Sequence, residues 1–160
     1  MNILLHHGPG FISTLIRWQT RGFYNHASML FGDTVIEARE FRGVRKIHVD
    51  EVRRAIGRDS RLRVDVYSFS PALSRIEDHA ARAFAEAQLG LGYDYRDVFS
   101  FLTRTRERDG AAWFCSELVA ATCRAIGRPL LHATCDWEVP PSEIARSLAL
   151  THTGRLCPLA

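Results

Sequence analysis

Two residues, Gly32 and Asp33, separate the runs Asn25-His26-Ala27-Ser28-Met29-Leu30-Phe31 and Thr34-Val35-Ile36-Glu37-Ala38-Arg39. A Gly-Asp pair between two such runs reads as a β-hairpin. Nothing else in the chain constrains the fold as much, because a two-residue turn fixes the register, and the register decides which side chains share a face. With Phe31 opposite Thr34, Ser28 falls opposite Glu37, and Glu37 shares a face with His26, one step diagonal to it. Diagonal neighbours lie roughly 7–8 Å apart at the backbone, a span that a glutamate can cover to an imidazole nitrogen. A three-residue loop would reverse the parity and bring Glu40 to that face instead. The two-residue turn favours Glu37.

Around this hairpin the first half of the chain reads as further strands. Asn2-Ile3-Leu4-Leu5 is a short buried strand, and His6 to Gly10 is a loop with a Gly8-Pro9-Gly10 turn. Ser13 is placed to cap a short helix carrying Leu15, Ile16 and Trp18. Val44 to Val49 alternates as a third strand of the meander, and Asp50 to Asp59 is a charged connector with room for a helical turn. Arg61 to Phe69 alternates cleanly, with Leu62, Val64 and Val66 on one face.

Helices dominate the second half. Ser74 with Glu77 fits a capping box that opens a helix to Leu89, with Ile76, Ala80, Ala83, Phe84 and Ala87 as its apolar stripe. Val98 to Leu102 reads as a short helix, 103–110 as an exposed charged loop, and Pro140-Pro141-Ser142-Glu143 opens a last helix to Leu148. The tail is strand or coil. Strands gathered in one half and helices in the other predict an α+β domain with helices packed on an antiparallel sheet. The 160 residues suit one domain, 1–160, and show no repeat or linker.

The helix that matters chemically follows Trp113-Phe114-Cys115-Ser116-Glu117-Leu118-Val119. Good helix formers run on through Ala125, and Gly127 and Pro129 end the helix. Cys115 therefore lies near a helix N-terminus, where unpaired N–H groups and the helix dipole favour the reactive thiolate. Leu118, Val119, Thr122 and Ile126 fall on its side of the helix, so the sulfur points into the protein body. A buried core thiol would show the same pattern. A neighbouring base separates the two readings.

Histidine is the usual base near neutral pH, and the chain has seven. His6 and His7 fall in the predicted loop, His79 is on a helix with no obvious site, and His132 and His152 are in irregular sequence. His48 is on a strand with no acidic partner indicated by pattern. His26 alone begins a strand with a same-face carboxylate, Glu37, on the next one.

Charge and cysteine usage exclude other classes. A net charge of +3, with arginines spread along the chain and no recognition motif, gives no case for a nucleic-acid partner. The apolar start is too short for a secretory signal, and no apolar run reaches spanning length, so the cytoplasm is the expected location and no transmembrane segment is expected. Cys115 and Cys123 are about 12 Å apart along one helix, beyond disulfide reach. His132, Cys135 and Cys123 lack zinc-site spacing, so neither a metal nor another cofactor is expected.

The order of these parts resembles the permuted papain-like cysteine peptidases, specifically the YiiX/YebB-like branch of the NlpC-type amidases. The carriers are the Gly-rich start, Asn25-His26-Ala27-Ser28, Val35-Ile36-Glu37-Ala38, Phe114-Cys115-Ser116-Glu117-Leu118-Val119, and Pro141-Ser142-Glu143-Ile144. Histidine before cysteine is the permuted order. The resemblance implies a circularly permuted papain-like fold with Cys115 as nucleophile, His26 as general base and Glu37 as the residue orienting the imidazole. It also implies a tyrosine beside the oxyanion or substrate, here Tyr93, with Tyr95 an equally close match. The implied activity is hydrolysis of an amide in a peptide or small-molecule substrate, cell-wall peptides first among them.

Two alternatives stay open. The permuted fold is also similar to the lecithin retinol acyltransferase-like enzymes, which move lipid acyl groups through a cysteine. A non-catalytic peptide-binding module on the same scaffold is the other. The sequence leaves the oligomeric state undetermined.

Overall fold

The computed structural model describes residues 1–9, 22–93, 112–131 and 139–159. Its centre is a six-stranded antiparallel sheet of β1 (Asn2–His7), β2 (His26–Phe31), β3 (Thr34–Arg39), β4 (Gly43–His48), β5 (Arg63–Phe69) and β8 (Leu150–Arg155), in the order β4-β3-β2-β1-β5-β8. A two-stranded parallel pair, β6 (Gly92–Tyr93) with β7 (Ala112–Trp113), lies outside it. Among the described residues the helices are α1 (Val49–Arg58), α2 (Arg75–Glu86), α3 (Cys115–Ala125) and α4 (Pro141–Ile144). The mixed α+β architecture is the one expected.

The hairpin forms in the two-residue register, Phe31 opposite Thr34, Leu30 opposite Val35 and Met29 opposite Ile36. Gly32 takes φ 63° at the turn, a conformation that suits glycine. Strand alternation then divides the core in two. Ile3, Leu5, Met29, Ile36 and Ala38 face the main core, where Leu118 and Val119 of α3 pack. Leu4, Val35 and Val64 face the opposite side, where Val49 and Val52 of α1 cover them. The sheet is thus covered on both faces, with α3 packed across β2 and β3 on one of them. Leu118 is fully buried, which stabilises the fold by about 1.5–3 kcal/mol relative to an exposed leucine.

Several sequence expectations change. β1 runs on through His6 and His7, expected in a loop, because pairing with β2 and β5 continues to His6 opposite His26 and His7 opposite Arg63. The charged connector after β4 is a ten-residue helix. Its Val49, Val52 and Ile56 are spaced three and four apart and bind the second core, which overrides its high charge. His48 caps this helix, its Nδ1 accepting from the Asp50 N–H at 3.2 Å, and lies 3.2 Å from Asp50 and 3.5 Å from Asp33, so it does have acidic neighbours.

The Ser74–Glu77 capping box forms, but α2 buries Ala81 and Ala85 rather than the expected stripe. Ile76 is 83 % exposed. The small alanines face α3, which packs against this helix, so close approach selects them over larger side chains. The last helix is a single turn, Pro141–Ile144, leaving Leu148 exposed beyond it. The tail is a strand, β8, which carries His152 and pairs with β5 at the sheet edge. The expected helices at 13–21 and 98–102 and the expected loop at 103–110 lie outside the described residues, as do Tyr95, His132 and Cys135.

Candidate active site

Cys115 is the first residue of α3, and its helix begins as expected. The Phe114 backbone is extended, and the Glu117 carboxylate reaches back to accept from the Phe114 N–H at 3.3 Å. Cys115 is fully buried, and Cys115 and Cys157 are free thiols.

His26 opens β2 at the end of the sheet, and Cys115 lies close enough to influence the charge on its ring. On the same ring, Nε2 is 2.7 Å from Glu37 Oε2. With Nε2 given to the carboxylate, Nδ1 is left for the sulfur, which assigns the proton of a neutral ring to Nε2. The three side chains named from the sequence are therefore brought together. Burial pulls the His26 pKa down, but the charge and hydrogen bond of Cys115, followed by those of Glu37, outweigh it and push it up to about 9. Burial works against ionised Glu37 too. The hydrogen bond and charge of His26, aided by Arg39 and His6, hold its carboxyl well below the usual range. The site favours an imidazolium beside an ionised carboxylate.

Two side chains missed in the sequence complete this cluster. Arg45, directly opposite Glu37 on β4, donates from Nε at 2.9 Å and Nη2 at 2.6 Å to Glu37 Oε1. The sequence offered only opposite charges on successive strands, with no register to pair them. His6 packs edge-on to His26, ring centroids 4.9 Å apart, with its Nε2 2.9 Å from Ser28 Oγ. Burial first, then repulsion from His26, pushes the His6 pKa down to about 3, so this second ring is neutral. Ending β1 at Leu5 hid it.

The approach to His26 is fixed from two directions. Asn25 Oδ1 accepts from the Gly8 N–H at 2.9 Å, and the Asn25 N–H donates to the His6 carbonyl at 2.9 Å. Ser142, from the segment that opens α4, takes the Tyr24 N–H on its Oγ at 2.9 Å. A cleft of about 680 Å³ runs from His6, His26 and Glu37 past Arg45 toward Val52 and Ala55 of α1. Cys115 is not among the described residues lining it.

Tyr93 is 22 residues before Cys115 in the chain and close to it in the fold. It pairs with Trp113, two residues before the cysteine, and its ring packs on Phe114 at 5.9 Å. Glu40 lies beyond β3, on the rim of the cleft, and Glu37 alone of the two carboxylates bonds His26. Among the described residues no group of three or more His, Cys, Asp or Glu side chains is placed to hold a metal ion, and no helix is long and apolar enough to cross a membrane.

No protein-family model matches the sequence. No curated protein matches it either. Among solved structures the fold is similar to the crystal structure of the metalloprotein YiiX from Escherichia coli O157:H7, at 15 % identity and a TM-score of 0.69. The match covers 98 % of this chain and 97 % of that one. The fold is YiiX-like over essentially its whole length.

Proposed function

We propose that this YiiX-like chain is a permuted papain-like cysteine hydrolase of a peptide or small-molecule amide. The observation that carries the reading is His26, bonded to the Glu37 carboxylate and close enough to Cys115 for the cysteine to raise its pKa. A core thiol needs neither neighbour. A thiol nucleophile needs a base, and the base needs a group to orient it.

In this mechanism His26 Nδ1 takes the Cys115 proton, and the sulfur attacks the substrate carbonyl carbon. The Cys115 N–H, in the first turn of α3 with no intrahelical acceptor, donates to the oxyanion. Tyr93, beside Phe114, is the proposed second contact to the oxyanion or substrate. The tetrahedral intermediate collapses to an acyl-thioester as the C–N bond breaks, and the amine departs with the proton from His26. Water, deprotonated by His26, then attacks the thioester, releasing the acid and returning the proton to sulfur. Glu37 stabilises the imidazolium at both stages without itself taking the proton. Cell-wall peptides are the first substrate class to test.

The experiment is alkylation of the native protein with iodoacetamide across pH 5–9, with mass spectrometry of each cysteine and the unfolded chain as reference. Labelling of an ordinary thiol falls about tenfold per pH unit below its pKa of about 8.5. Cys115 labelling that persists at pH 6 and is abolished by His26→Ala supports the reading. A pH dependence of Cys115 equal to that of the unfolded chain overturns it. Amine release from a peptide panel, with Cys115→Ala as blank and a phospholipid panel beside it, then separates amidase from acyltransferase and from a binding module.

A further inference from the structure

Glu37 is only 2 % exposed, so its carboxylate has almost no water to stabilise it. Its two oxygens are divided between partners. Oε2 meets His26 Nε2 at 2.7 Å, and Oε1 takes two hydrogen bonds from one guanidinium, Arg45 Nη2 at 2.6 Å and Nε at 2.9 Å. The other cation nearby, Arg39, is 3.8 Å from Oε2 and half exposed. Arg45 is held in place by backbone pairing, since β3 and β4 set it directly opposite Glu37. Cys115, His26, Glu37 and Arg45 thus form one row drawn from α3, β2, β3 and β4, with His6 of β1 and Arg39 of β3 flanking it.

We infer that Arg45 is a positioning residue of the proposed reaction, gripping Glu37 Oε1 so that Oε2 stays ionised and aimed at His26 throughout the cycle. The inference rests on the Cys115–His26–Glu37 reading. Over that cycle His26 alternates between imidazolium and neutral imidazole. Whenever it is neutral, Glu37 loses the positive charge facing Oε2 while still buried, and a buried carboxylate left with no cation takes up a proton instead. A protonated Glu37 could turn its hydroxyl toward His26 and would no longer support the imidazolium. The Arg45 fork removes both outcomes: its charge is permanent, and its two bonds fix the carboxylate's rotation. Arg45 touches neither the sulfur nor the base, so it acts through Glu37.

The test uses the full chain carrying Arg45→Met, which keeps the aliphatic stem without the charge, and Arg45→Lys, which keeps the charge without the fork. The readouts are the pH profile of Cys115 alkylation and turnover of any amide found to be cleaved. Arg45→Met is expected to slow both by about ten- to a hundredfold, by analogy with the loss of an outer partner that orients a metal-binding side chain. It is also expected to move the acid limb of the profile to higher pH, since losing a neighbouring cation raises a carboxyl pKa. Arg45→Lys should recover part of the loss. Because a packing role could mimic the rate loss alone, both variants are repeated in a Glu37→Gln background, where Arg45→Met should add almost nothing. An unshifted profile in Arg45→Met, or an undiminished effect in the Glu37→Gln background, overturns the inference. Wild-type Cys115 with ordinary reactivity overturns the triad reading itself, a different result from the same assay. Should Arg45→Met not fold, Arg45→Lys against Glu37→Gln still completes the cycle.

Discussion

His26 and Glu37 are eleven residues apart and joined by a 2.7 Å contact across the β2–β3 hairpin, with the carboxylate buried to 2 % exposure. This contact is the consequence of a two-residue turn, because one inserted residue at Gly32-Asp33 would send Glu37 to the opposite face. Insertion of a single glycine after Gly32 is therefore expected to abolish alkylation of Cys115 at pH 6 while far-UV circular dichroism still reports a sheet. Retained reactivity would show that His26 does not depend on Glu37.

Replacing Glu37 separates its chemical role from its structural one. Glu37→Gln keeps the shape but gives His26 a neutral partner, and by analogy with other triads the reaction should slow by about 10²–10⁴-fold. Glu37→Ala also strands Arg45 beside a buried cavity, and loss of one partner of a buried pair costs about 3–5 kcal/mol. Chemical denaturation should thus distinguish the two variants, while turnover should be poor in both. Equal stability with full turnover would remove Glu37 from the mechanism.

The two adjoining histidines are expected to titrate in opposite directions. Proton NMR of the ring Cε1–H signals should place His26 near 9 and leave His6 uncharged down to about 3. Because the largest upward influence on His26 is Cys115, Cys115→Ala should lower the His26 midpoint. The sign for stability follows. His26, raised above its unfolded value of 6.5, contributes stability that is complete below pH 6.5 and lost as pH rises through about 9. His6, depressed, destabilises the fold as pH falls from 6.5 toward 3, since only the unfolded chain then binds that proton. Glu37, also depressed, adds a loss that begins as pH falls below its unfolded value of 4.5. The contribution of these three groups is greatest near pH 6.5, which urea midpoints at pH 5, 6.5 and 9 would check.

The sequence reveals the parts of the site that local pattern determines. The hairpin register placed Glu37, and the helix-start signature placed Cys115, because turn chemistry and helix termini depend on a few adjacent residues. Tertiary pairing was harder to read. His6 lies in a strand because β2 and β5 flank it, and nothing in His6-His7-Gly8-Pro9 marks where that ladder ends. α1 owes its existence to three apolar side chains against the back of the sheet, amid five charged ones. The α2 stripe failed for a related reason, since its buried positions are alanines chosen for closeness to α3 rather than for hydrophobicity. Arg45 escaped notice because its partner lies on a strand joined by a three-residue turn, whose register the sequence does not fix.

That turn supplies the last prediction. Gly43 has φ 65°, and a Cβ built on it would lie 2.2 Å from the Leu91 carbonyl oxygen. The close approach is needed because the Val44 N–H donates to that same carbonyl at 2.8 Å, and the Val44 carbonyl accepts from the Gly90 N–H at 2.9 Å. These bonds tie β4, with Arg45, to the segment that continues into Tyr93. Gly43→Ala must either break them or strain the backbone, at a cost of about 1–3 kcal/mol. Since the displaced strand carries Arg45, the variant should also weaken the Glu37 grip and move the Cys115 alkylation profile in the same direction as Arg45→Met, though by less. Gly32→Ala is the control: its φ of 63° imposes similar backbone strain, but no atom lies within 4 Å of its added Cβ. It should lower the urea midpoint without altering the Cys115 profile. A Gly43→Ala protein with wild-type stability and profile would show that the β4–Tyr93 link is not needed at the site.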